Sequence, residues 1–209
     1  MNQNAKVFDA NVPARLQYAL TKSVLENYKE ASRFCFRHFA APQAKDLSGF
    51  FRRAKIEDEM PGIAALFRDI TDDIQRYENN TGFYHEITCG VVKLTQSCIS
   101  DPNAVPRYAK FRATLAHNGQ LPLFASTGNP TDTKYAYAIL THGVDLNSDK
   151  RSWPAFVKIQ FPNETCTEYL DEGIDLLGRF ADLKAQYVPS AKVILRLKQR
   201  RIRKEKEGA

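Results

Sequence analysis

The chain has 209 residues, 43% of them hydrophobic, and a formal net charge of +6. That length suits one compact unit with a real core. No apolar run approaches the ~18 residues of a membrane span, and the polar first eleven residues lack the hydrophobic stretch of a signal peptide. The expectation is a cytoplasmic chain with reduced thiols, no membrane partner and no cofactor.

Residues 1–11 are expected to be disordered, and residues 12–80 to form a helical subdomain. Leu16, Leu20, Val24, Tyr28, Ala31 and Cys35 recur at helical spacing, so 13–41 reads as a helix with Pro13 in its first turn. A shorter helix is expected over 46–56, with Asp46 as its cap. A third is expected over 61–77, on the stripe Ile63, Leu66, Phe67, Ile70, Ile74 and Tyr77.

Residues 81–197 are expected to be an antiparallel sheet plus a helix, in one unit with the helical part. After Gly82 the pattern turns to period two: Phe83, His85, Ile87 and Cys89 alternate with polar neighbours, and Gly90 marks a bulge or a return. The clearest alternation is 107–116, followed by Asn118-Gly119, a type I′ hairpin signal leading to a return strand over 121–125. A second hairpin is expected from 135–142 and 155–161. Thr165 and Glu168 have capping-box spacing at the head of a long helix over 165–188. The fold class is therefore α+β: N-terminal helices, a mostly antiparallel sheet, a long C-terminal helix and a basic tail over 198–209.

Charge points to a partner. From 190 to 209 there are eight bases against two acids, which accounts for the whole net charge. Arg196, Lys198, Arg200, Arg201, Arg203, Lys204 and Lys206 are candidate phosphate contacts, because such a run attracts a polyanion without fixed geometry. Residues 13–55 carry nine bases and three acids, and 56–86 carry eight acids and two bases. Within the basic block, Arg33, Arg37, Arg52 and Arg53 lie among Phe34, Phe36, Phe39, Phe50 and Phe51. Arginine interleaved with aromatic rings can hold phosphates and stack on bases. The ordinary alternative is amphipathic helices with phenylalanines inward, or the two charge blocks paired across the fold. A third candidate is a sheet face with Tyr108, Lys110, Arg112 and Thr114, joined by Tyr135, Tyr137, Lys158 and Gln160.

Signals for chemistry are thin. Cys35, Cys89, Cys98 and Cys166 form no CxxC pair, and His85-x3-Cys89-x8-Cys98 matches no zinc spacing, so buried free thiols and no metal are expected. No nucleophile elbow, P-loop or dinucleotide fingerprint is present. His142 with Asp145 can orient an imidazole beside a carboxylate, and Cys89 with His85 would be a dyad only by tertiary accident. The reading is a non-catalytic nucleic-acid-binding protein, DNA or RNA, of the kind found in nucleoprotein complexes. A second is a protein-binding inhibitor or adaptor of the phage or mobile-element anti-defence type, such as an anti-CRISPR. In it the acidic block would mimic a phosphate backbone. A third is a metal-dependent nuclease or other hydrolase.

Overall fold

Pro13 closes one helix and opens the next. The structure, a computed structural model, describes residues 3–77, 82–118, 135–144 and 152–188. Residues expected to be disordered form helix α1 (Gln3–Asn11), because Ala5, Phe8 and the following Val12 bury an apolar edge. Helix α2 (Ala14–His38) follows the predicted stripe as far as Cys35 and stops where Phe39 turns extended. Helix α3 (Ala41–Ala64) packs back along it.

Helix α3 replaces the two helices expected at 46–56 and 61–77. Pro42 falls in its first turn, where no N–H bond is needed, and Pro61 in its last turn, where little helix remains to disrupt. Beyond it, Ile70–Arg76 is strand β1, not helix. Ile70 and Ile74 are four apart, a spacing that fits both the 3.6-residue and the two-residue period. The intervening Thr71, Asp72 and Asp73 are weak helix formers, and pairing with the next strand decides the outcome.

The sheet runs β1, β2 (Phe83–Cys89), β3 (Val92–Cys98), β4 (Ala136–Val144), β5 (Pro154–Gln160) and β6 (Ile174–Asp175), in that spatial order. All neighbours are antiparallel except β3 and β4, so the sheet is mixed. Gly90 makes the turn between β2 and β3 with φ +54, and Asn11 Oδ1 accepts the Val91 N–H there at 3.3 Å. The expected hairpin of 135–142 with 155–161 is present as β4 and β5.

A parallel pair needs a crossover. Here it contains helix α4 (Lys110–Asn118), where a strand over 107–116 was expected. The error mirrors that at β1: Phe111 and Leu115 are four apart, and Ala113, Leu115 and Ala116 favour helix. Asn118 therefore ends a helix, while the rest of the Asn-Gly turn and the return strand lie outside the described residues.

The long helix expected at 165–188 is not formed. Asn163 Oδ1 accepts the Thr167 N–H at 2.9 Å and the Glu168 N–H at 3.3 Å, which fixes a turn in competition with helix. Pro162 then bridges to Tyr169, and Gly173 sits at φ +68. Two short helices follow, α5 (Leu176–Arg179) and α6 (Ala181–Tyr187). Asp175, not Thr165, is the side-chain cap, accepting the Leu177 N–H at 3.0 Å.

One sheet face carries the main core: Phe8, Leu16, Leu20, Val24, Ile56 and Met60 from the helices meet Ile87, Leu94, Leu140, Val157 and Ile159. The other face is covered by α4, whose Leu115 and Ala116 join Tyr137, Ile139 and Cys166. No helix among the described residues is long and apolar enough to cross a membrane.

Candidate functional site

The turn between α2 and α3 brings two exposed amphipathic ends together. Phe34, Phe39, Leu47 and Phe50 are all exposed there, Phe50 to 77%. Phe34 stacks on Phe51 with centroids 4.8 Å apart and lies 4.8 Å from the His38 ring. Arg33 and Arg37 are exposed on the same helix end and form no ion pair among the described residues. Lys45 and Arg53 are exposed on α3. Exposed rings beside cations form a surface that can stack on bases and hold phosphates.

The four arginines singled out in the sequence have different fates. Arg33 and Arg37 stand in solvent. Arg52 is only 2% exposed: its guanidinium lies 4.6 Å from the Tyr28 ring centroid, with Nη1 3.5 Å from Ser48 Oγ. It holds α3 to α2 and is out of reach of a ligand. Arg53 pairs with Glu57 at 3.4 Å and donates to the Tyr77 hydroxyl at 2.6 Å.

The expected sheet face with Lys110 and Arg112 does not exist, because both residues are on α4. Arg112 donates to the Arg107 carbonyl at 3.0 Å and to Ser97 Oγ at 3.3 Å. Tyr137 is buried beneath α4, and Gln160 is buried with its Nε2 donating to the Pro102 carbonyl. Arg196, Lys198, Arg200, Arg201, Arg203, Lys204 and Lys206 lie outside the described residues.

Four of the eight acids of the acidic block are used inside the fold. Glu59 accepts from Ser23 and Asn27, Asp72 holds His85 at 2.8 Å, Glu86 pairs with Lys93 at 2.6 Å, and buried Glu57 accepts from Gln96 at 2.9 Å. Those four carboxylates are engaged, whereas Asp58, Asp69 and Asp73 are exposed. Between the two blocks, Arg53 pairs with Glu57.

His142 has no carboxylate partner among the described residues. Tyr28 Oη donates to its Nδ1 at 2.9 Å, and its Nε2–H donates to Gln96 Oε1 at 3.1 Å. Gln96 passes the sense on to Glu57, which also receives Arg53. Complete burial, reinforced by the Arg52 charge, pushes the imidazole down to about 3, so it stays neutral. Sequence reading missed this relay because its members are spread over α2, α3, β3 and β4. A Gln and a His at alternate core-facing positions of apolar strands were the available signal.

Cys35, Cys89 and Cys166 are buried free thiols, as expected, whereas Cys98 is exposed, with Sγ 4.0 Å from the Tyr28 hydroxyl. Burial pushes the Cys89 thiol up to about 11, away from the reactive thiolate. Among the described residues no three His, Cys, Asp or Glu side chains gather as metal ligands. No protein-family model, curated protein or solved structure matches the chain.

Proposed function

We propose that the chain is a non-catalytic nucleic-acid-binding protein that grips single-stranded DNA or RNA with the tip of the α2–α3 hairpin. The observation that carries this reading is the set of exposed rings, Phe34, Phe39 and Phe50, beside Arg33 and Arg37, which form no ion pair among the described residues. Three exposed rings gathered beside cations mark an interaction surface more than rings scattered singly do. The cations hold the backbone while the rings accept bases. The basic run from Arg196 to Lys206 adds sequence-independent attraction through its charge alone.

The test is binding of a dye-labelled single-stranded oligonucleotide and of the matching duplex. Phe50→Ala should weaken single-strand binding roughly 5- to 100-fold, as loss of one stacked base does, and leave duplex binding nearly unchanged. Arg37→Ala should weaken both. Equal affinity of wild type and Phe50→Ala for the single strand would overturn the reading. The inhibitor or adaptor is a second reading, favoured by the further exposed side chains Leu47, Ile74 and Phe83. It predicts a stable complex with a protein and no affinity for either oligonucleotide.

A further inference from the structure

Next to the tip, α3 and the β1–β2 pair enclose an open groove of about 790 Å³. We propose that this groove receives one unpaired nucleobase of the bound strand, a proposal that rests on the nucleic-acid reading. Phe50 is common to the tip and the groove, and Phe51, Tyr77 and Phe83 supply the other rings. Phe83 is half-exposed, so a flat ring can reach it. The charges that line the groove balance in number: Arg53 and Lys55 against Glu57 and Asp58, with Arg53 bonded to Glu57. A lining balanced in this way suits a neutral aromatic ring better than a phosphate, while Arg33 and Arg37 outside it serve the backbone.

The groove also holds a fixed polar reader. His85 lines it yet is only 4% exposed, and its Nδ1–H donates to Asp72 Oδ2 at 2.8 Å. That bond sets the ring orientation. The other nitrogen, Nε2, has no partner among the described residues. Asp72 Oδ1 is buried without a partner as well. A buried imidazole held by a carboxylate, with its second nitrogen unused beside aromatic walls, suits the polar edge of a base. An apolar peptide side chain would leave that nitrogen unsatisfied.

The probe is a single-stranded oligonucleotide carrying one 2-aminopurine, compared with the same strand carrying an abasic site at that position. Wild type should quench the 2-aminopurine on binding and bind the abasic strand roughly tenfold more weakly. Phe83→Ala, at a half-exposed position, should keep its melting temperature, lose the quenching and bind both strands alike. Phe83→Tyr should behave as wild type. Wild type binding both strands equally, without quenching, would overturn the groove proposal and leave the tip reading standing. So would Phe83→Ala quenching as wild type does. Failure of wild type to bind either strand would overturn the nucleic-acid reading itself.

Discussion

Acidification should destabilise the fold through His142, by about 2 kcal/mol between about pH 7.5 and pH 5. In the folded chain the imidazole is held neutral, with its pKa near 3 against an ordinary 6.5. Between those two values the unfolded chain binds one more proton than the folded chain. Stability is therefore full above about pH 7 and falls as pH drops, with a limiting slope of about 1.4 kcal/mol per pH unit. Protonation in place is opposed first by complete burial, which denies the charged ring its water, and then by the buried Arg52 charge. Urea unfolding of wild type and His142→Gln across this range is the assay. The glutamine does not titrate, so the stability difference between the two proteins should shrink by about 2 kcal/mol as the pH falls. NMR should show the wild-type ring still neutral at about pH 5. A difference that stays constant with pH, or a ring that titrates near 6.5, would refute the reasoning.

Phe8→Ala should cost about 3–5 kcal/mol in denaturant unfolding, because Phe8 is fully buried and meets Phe161 edge-on; a loss under about 1 kcal/mol would return α1 to a loose terminus. Gly90→Val should destabilise by at least roughly 1–2 kcal/mol, since φ is +54 and an added Cβ presses on Asn11 Oδ1; an unchanged melting temperature would contradict that turn. Arg52→Ala should lower the melting temperature sharply, whereas Arg37→Ala should leave it unchanged and weaken single-strand binding. The reverse pattern would mean that the buried and exposed roles are misassigned.

Legibility in the sequence followed the uniqueness of the period. The stripe from Leu16 to Cys35 admits only a helix, and the β4–β5 hairpin showed as two apolar segments around a polar loop. The failures share one cause. Ile70 with Ile74, and Phe111 with Leu115, are spaced by four residues, which lies on one face of either a helix or a strand. Partners distant in sequence, β2 for the first and the β3–β4 crossover for the second, made the choice. At 165–188 a local competitor won, the Asn163 side chain bonding to the backbone. The tip was half legible: composition brought Arg33, Arg37, Arg52 and Arg53 to notice, but only packing separates the buried Arg52 from the exposed Arg33 and Arg37. The groove was not legible, since its rings come from α3, from Tyr77 just after β1, and from β2.

The central claim is that this surface and the basic run bind single-stranded nucleic acid, and the most direct measurement is anisotropy of a labelled single strand over a salt series. Affinity should fall steeply as salt rises from ~50 to ~200 mM, because each neutralised phosphate releases counterions. Truncation after Lys198 removes Arg200, Arg201, Arg203, Lys204 and Lys206 and should flatten the slope of log affinity against log salt by up to about 3.5. Binding by the truncated chain should persist at low salt, carried by the tip. Wild type with no affinity for the strand at ~50 mM salt, or binding with a slope near zero, would contradict the account.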